Sequence, residues 1–175
     1  MGAILAMERE TFDVVDHSDN TIGTASRKEV HDQGLLHRSA HLLIFNSKGD
    51  ILLQRRSESK DSFPGRWDSS VSGHVDSGES YDECIVRETW EEIGLELSKV
   101  PEKLFKIAAC EETAQEFCWV YREFSGGPFS PNSEEVSDLA WFAKEEVARL
   151  VCEEPQVFSP SFCLAWKRFS LLQEF

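Results

Sequence analysis

A mixed α/β fold is expected, because strand-like and helix-like segments alternate along the chain. Two apolar runs, Ala40 to Phe45 and Ile51 to Gln54, flank Asn46-Ser47-Lys48-Gly49-Asp50, a hairpin signal. Ser80 followed by Glu83 forms a capping box and Gly94 a C-terminal stop, so Tyr81 to Ile93 should be helical. Phe162, Trp166, Phe169 and Leu172 recur at helical spacing and mark a final amphipathic helix.

Taken in order, residues 1–10 are expected to be a flexible leader and residues 11–175 a single domain. The opening MGAILA is too short for a signal peptide, and Ala6 stands where a myristoylation motif needs Ser or Thr. Phe12 to Val15 alternates as a short strand, and Ser18-Asp19-Asn20 should turn the chain. Ile22 to Val30 leads into a stretch where His31 and His37 stand around Gly34. Arg55, Arg56 and Lys60 follow the hairpin, ahead of a turn at Phe63-Pro64-Gly65. Trp67 to His74 should be extended and feed the capped helix. Beyond Pro101, Leu104 to Ala109 and Phe117 to Phe124 read as strands joined by the acidic residues 111–116. A loop from Gly126 to Ser133, a strand from Val136 to Phe142 and a helix from about Lys144 to Val151 complete the pattern. No repeat, low-complexity tract or linker divides it.

At 175 residues and 41% hydrophobic composition, the chain can bury an adequate core. With 18 basic and 32 acidic residues its net charge is −14, a field that repels nucleic-acid backbone and anionic membrane. Polymeric DNA or RNA is therefore not an expected partner, and an anionic small molecule would need a metal ion to enter a carboxylate-lined site. The five cysteines are odd in number and form no CxxC pair, as expected for reduced thiols in a cytoplasmic protein. No apolar run approaches the ~20 residues of a membrane span. The sequence carries no signature of an oligomeric state.

The capped helix carries the chemistry. Glu88, Glu91 and Glu92 fall on one arc of it, because positions i, i+3 and i+4 are neighbours. Three like charges there repel, and the usual compensator is a hard divalent cation such as Mg²⁺. Val86, Trp90 and Ile93 are expected to anchor the opposite side in a core. A solvated acidic face is the plainer alternative for such a charge run.

The stretch GHVDSGESYDECIVRETWEEIGL, Gly73 to Leu95, resembles the Nudix signature, with Gly73, Glu79, Arg87, Glu88, Glu91, Glu92, Gly94 and Leu95 all on its fixed positions. Thr89 occupies a slot that is usually apolar. The resemblance implies an α/β/α sandwich with a mixed sheet and a catalytic loop and helix. It also implies Mg²⁺- or Mn²⁺-dependent hydrolysis of a diphosphate linkage in a small nucleoside diphosphate derivative or related diphosphate. Glu88, Glu91 and Glu92 would hold metal, Glu88 would help deprotonate water, and Glu79 with Arg87 would form a structural ion pair between loop and helix. An additional ligand or base is sought among Glu112, Glu116, Glu134 and Glu135, with Glu116 favoured. Arg55, Arg56 and Lys60 are candidates to meet phosphate, or else a solvated strand end. Trp67, Phe117 and Trp119 are candidates to stack on a base, or else core.

Beyond the signature, the chain from about Phe12 to Leu95, residues 31–80 above all, and again around Glu116-Phe117-Cys118 and Phe158-Ser159-Pro160, resembles the branch that contains isopentenyl-diphosphate isomerase and its hydrolase relatives. There, three histidines and two glutamates bind a divalent metal. His31, His37 and His74 match the histidines, the first two a residue closer than usual. Glu116 matches one glutamate, and Ala114 stands in place of the other. The three histidines are a candidate second metal site or phosphate site; His17 and His41 are read as ordinary surface or core histidines. Ser72 replaces the isomerase's proton-moving cysteine, and serine is a far weaker acid than a thiol of pKa ~8.5. Hydrolysis is thus expected, with isomerase-like activity and a non-catalytic ligand-sensing module as the alternatives.

Overall fold

The computed structural model describes residues 10–173, so the expected leader lies almost wholly outside the described residues. A hairpin of β1 (Thr11–Val15) and β2 (Thr21–Ser26) leads into the short helix α1 (Arg27–Gln33). Sequence reading passed over α1, although Ser26 and Glu29 form a capping box and Gly34 closes it in the left-handed conformation.

A seven-stranded sheet follows, made of β3 (His37–Phe45), β4 (Ile51–Arg56), β5 (Trp67–Asp68), β6 (Val71–His74), β7 (Glu102–Ile107), β8 (Glu116–Phe124) and β9 (Val136–Phe142). β3 pairs with β8 in parallel over its full length, and the other pairings are antiparallel. The sheet is therefore mixed. The helix expected from its caps is α2 (Tyr81–Ile93), with both halves of the Ser80–Glu83 capping box formed. The helices α3 (Lys144–Glu153) and α4 (Pro160–Gln173) end the described chain.

Alternation along β3 divides the core. Ala40, Leu42 and Ile44 face α2, where they pack with Cys84, Ile85 and Ile93. Leu43 and Phe45 face α3 and α4, where they pack with Val147, Phe162, Trp166 and Phe169. Each fully buried side chain of this size contributes about 1.5–3 kcal/mol.

One feature of the sheet positions the site. β3 pairs with β4 only at Ile44 and Phe45, and the two strands then diverge. The segment from Trp67 to His74 enters this fork, pairing with β4 through β5 and with β3 through β6. Ser70 sits at the apex, where its hydroxyl donates to Leu52 O at 2.5 Å and accepts from Ile44 N at 2.8 Å. A fork leaves backbone groups without strand partners, and buried polar groups must be hydrogen-bonded. Buried polar side chains consequently gather here, Gln54, Asp68, Ser69, Ser70 and Glu92 among them.

The fork also corrects the expected orientation of α2. Its buried stripe is Cys84, Ile85, Thr89, Glu92 and Ile93, whereas Trp90 is 61% exposed and only Ile93 of the three expected anchors is fully buried. Glu92 turns inward because the fork offers it two hydrogen-bond donors, and Trp90 is carried outward. Thr89 fits its buried slot by donating its hydroxyl to Ile85 O at 2.6 Å.

Candidate active site

The loop from Gly73 to Ser80 and the helix α2 bring the signature residues together. Arg87 grips Glu79 with two parallel bonds, Nε to Oε1 and Nη2 to Oε2, each 2.8 Å. The same guanidinium donates to Glu88 Oε1 at 2.7 Å, Glu91 Oε2 at 3.0 Å and His74 O at 3.1 Å. It ties loop, strand and carboxylates into one unit, in the fork-to-fork geometry arginine favours. Glu92 is 2% exposed, and its Oε2 accepts from Ser72 N at 3.0 Å and Gln54 Nε2 at 2.8 Å. Gly73 lies against Glu88: a Cβ at position 73 would stand 2.5 Å from Glu88 Cγ and closer still to the carboxyl group.

These residues open onto a cavity of about 510 Å³. Glu88, Glu91, Glu92, Arg56 and Lys60 line it, as do His31, His74 and Glu116. Arg55 does not: it is exposed and donates to Gly65 O at 2.9 Å. Adjacent residues of a strand face opposite ways, so only one of the two arginines can reach the cavity. Arg56 is anchored on Asp68 at 3.3 Å, and Lys60 pairs with Glu135, which also lines the cavity. Glu112 lines the mouth, whereas Glu134 is exposed outside it. None of Trp67, Phe117 or Trp119 lines the cavity; Phe117 is buried and Trp67 packs edge-on against Phe142 at 5.0 Å.

His31, His37 and His74 converge, with one ring nitrogen of each within 4.8 Å of the others. Glu116 Oε1 lies 3.1 Å from His74 Nε2 and 3.5 Å from His37 Nε2. His37 Nδ1 is 2.9 Å from the Leu35 carbonyl, which can only accept, so Nε2 of the neutral ring is a bare lone pair. That atom has no hydrogen-bond partner among the described residues. Burial and the neighbouring histidines push the His31 pKa down to about 4, and burial lowers His74 as well. Burial alone would raise the Glu116 carboxyl, but His74 beside it holds it well below the usual carboxylate range.

The glutamates of α2 behave in the opposite way. Burial, then repulsion from Glu92, raises the Glu88 carboxyl to about 8; burial raises Glu92 to about 6 despite Lys60 and two hydrogen bonds. Between about pH 4.5 and 8 these two carboxyls therefore hold more protons in the folded, metal-free chain than in the unfolded one, whereas the lowered histidines hold fewer below about pH 6.5. Their contribution to stability is full below about 4.5 and is lost as pH rises through 6 and 8, by up to about 1.4 kcal/mol per pH unit for each proton retained. Thermal melts in EDTA should fall from about pH 6.5 to 8, where the histidines no longer oppose the trend, and Mg²⁺ should recover the loss at pH 8. An equally steep fall in Glu88→Gln would refute this assignment.

Sequence reading did not single out Ser39, Asp68 or Ser161 and dismissed His41; all four line the same cavity. The spacing of Ser39 and His41 with His37 along one strand was the available signal. Asp68 and Ser161 reach the cavity only through tertiary packing.

A family profile described as NUDIX domain matches residues 35–161. The chain is 36% identical over 150 residues to an uncharacterized Nudix hydrolase of Yersinia pestis, covering 83% of this chain and 79% of that one. It is 36% identical over 152 residues to a prenyl-diphosphate phosphatase of Methanosarcina mazei, covering 84% and 87%. An isopentenyl-diphosphate Delta-isomerase of Clavibacter michiganensis is 33% identical over 153 residues, with 84% and 79% covered. Among solved structures, a Deinococcus radiodurans protein superposes with a TM-score of 0.78 at 29% identity, covering 91% of this chain and 98% of that one. With the glutamate helix, its arginine clamp and the mixed sheet beneath them, these likenesses establish that the chain belongs to the Nudix hydrolase family.

Proposed function

We propose that the protein hydrolyses a diphosphate linkage in a small nucleoside diphosphate derivative or related diphosphate, using Mg²⁺ or Mn²⁺. The observation that carries this reading is the placing of buried Glu92 and partly buried Glu88 beside two cations, Arg56 and Lys60, in one cavity. Two adjoining carboxylates at such cost in desolvation suit a divalent cation, and Glu88, Glu91 and Glu92 would hold it. When bound, the metal neutralises diphosphate charge and acidifies water. The chain's own residues do the rest. Arg87, fixed by Glu79, holds Glu88 and Glu91 in place. Arg56 and Lys60 meet phosphate oxygens, and Glu88, as a carboxylate, accepts the proton of the attacking water. The free cysteines fit a cytoplasmic setting.

The histidine cluster supports a metal over a phosphate. His37 Nε2 and Glu116 Oε1 are two acceptors only 3.5 Å apart, and lowered pKa values keep His31 and His74 neutral near pH 7. Such a set donates electron pairs to a cation and repels an anion. Nitrogen ligands favour Mn²⁺ or Zn²⁺ over Mg²⁺ there.

The test is a phosphate-release screen with Mg²⁺ or Mn²⁺ over nucleotide sugars, dinucleotides, coenzymes and prenyl diphosphates. The last class enters because of the phosphatase relative. Release that EDTA abolishes is expected for at least one class, and no release with either metal would overturn the reading. Isomerase activity is not expected, because Ser72 presents only a hydroxyl to the cavity and Ala114 carries no carboxylate. Isopentenyl diphosphate in D₂O should show no enzyme-dependent deuterium uptake by NMR; steady uptake would reinstate the isomerase.

A further inference from the structure

We propose that Ser39, His41, Asp68 and Ser161 form the subsite that reads the organic group of the substrate, selecting a small, hydroxylated group over a prenyl chain. This rests on the reading of the cavity as a diphosphate hydrolase site. Ser39 and His41 project from one face of β3, opposite His74 and Ser72 of β6, so they form part of the cavity floor beside the residues that hold Glu92 and Glu116. Ser39 is 2% exposed, lines the cavity, and its hydroxyl has no hydrogen-bond partner among the described residues. A buried hydroxyl without a partner is uncommon, and here it can be satisfied from the cavity.

His41 is 4% exposed and is oriented by Ser69 Oγ, 2.9 Å from its Nδ1; burial lowers its pKa, so the ring faces the cavity uncharged. Asp68 is held by Ser69 N at 2.8 Å and Arg56 at 3.3 Å. Ser161, in the first turn of α4, closes the far side with Ser159 Oγ 3.3 Å away. The rigid floor thus offers a hydroxyl, an imidazole and a carboxylate to hydroxyl groups of a ligand.

The apolar lining is the other half of the argument. Aside from Gly73, only Phe12, Phe63 and Ala114 interrupt the polar wall among the described residues. Phe12 is committed to stacking on His74 at 4.8 Å, and Phe63 stands at 36% exposure beneath the Arg66 guanidinium. A prenyl chain would meet few apolar side chains and would leave the floor's polar groups unpaired. Sites built to hydrogen-bond a hydroxyl reject analogues lacking it far more strongly than apolar pockets reject a missing methylene.

Steady-state kinetics with Mg²⁺ would compare UDP-glucose and ADP-ribose with dimethylallyl and geranyl diphosphates. The better polar substrate should exceed both prenyl compounds in kcat/KM by about 100-fold or more. Ser39→Ala should raise KM for that substrate about tenfold with kcat within about twofold, and Ser161→Leu should narrow the polar preference. Should Ser39→Ala fail to fold in a circular dichroism melt, Ser161→Leu carries the test. Wild-type preference for a prenyl diphosphate, or an unchanged KM in folded Ser39→Ala, would overturn the subsite while leaving diphosphate hydrolysis intact. If no diphosphate is hydrolysed, the hydrolase reading fails separately. Calorimetric binding of UDP-glucose against geranyl diphosphate in Ca²⁺ then decides the subsite, and equal or reversed affinities overturn it.

Discussion

Glu92→Gln is expected to lower turnover by about 10² to 10³ while the protein stays folded. Glutamine matches glutamate in shape and can still accept from Ser72 N and Gln54 Nε2 through its amide oxygen. The gap between Gln54 of β4 and Ser72 of β6 therefore stays plugged. What disappears is a negative charge that is 2% exposed and costly to bury. In EDTA the variant should melt no lower than the parent at pH 8, and slightly higher if relief of repulsion with Glu88 dominates. With metal the order should reverse, because the parent alone gains the full stabilisation of a bound cation. Glu91→Gln should also lose most activity, although Glu91 is exposed and held mainly by Arg87. Near-normal rates for both variants at limiting Mg²⁺ would remove these glutamates from the metal site.

What the sequence made legible, and what it hid, follows from the range of the interactions involved. The boundaries of α2 were readable because Ser80, Glu83 and Gly94 act within a few residues of the backbone groups they satisfy. β9 was readable from Val136 to Phe142 for a similar reason, its ends being set by local composition. The same local logic holds at Ser26, Glu29 and Gly34, so α1 too is encoded by residues within a few positions of its ends. The direction α2 faces was another matter. Trp90 is the larger apolar side chain, yet Glu92 is the one buried, because its partners come from residues 20 and 38 positions away. No pattern within the helix encodes that. Among the expected phosphate contacts, the period of two along β4 could have separated Arg56 from Arg55 once one reference residue was known to face inward. The subsite around Ser39, His41 and Asp68 is the least legible part, since it exists only where β3 and β4 diverge.

Gly73→Ala is expected to cost about 10² in turnover, through Glu88 rather than through the backbone. Gly73 does not need a left-handed conformation, so the usual reason for a glycine is absent. The reason here is space. A Cβ would stand 2.5 Å from Glu88 Cγ and nearer to its carboxyl atoms, a separation that real side chains do not tolerate. Glu88 is also gripped by Arg87 at 2.7 Å, so the methyl group must push the carboxylate away while the guanidinium holds it back. A displacement of about 1 Å in a catalytic group can cost on the order of 10² in rate. Gly23→Ala is the matched control, because nothing lies within 4 Å of the Cβ it would add. The decisive measurement is a double-mutant cycle. If position 73 acts through Glu88, adding Gly73→Ala to Glu88→Ala should cost little further activity and little further stability. Full additivity of the two losses would show that the alanine acts elsewhere, on the strand β6 or on Ser72, and that the glycine of the signature is not there to seat the glutamate.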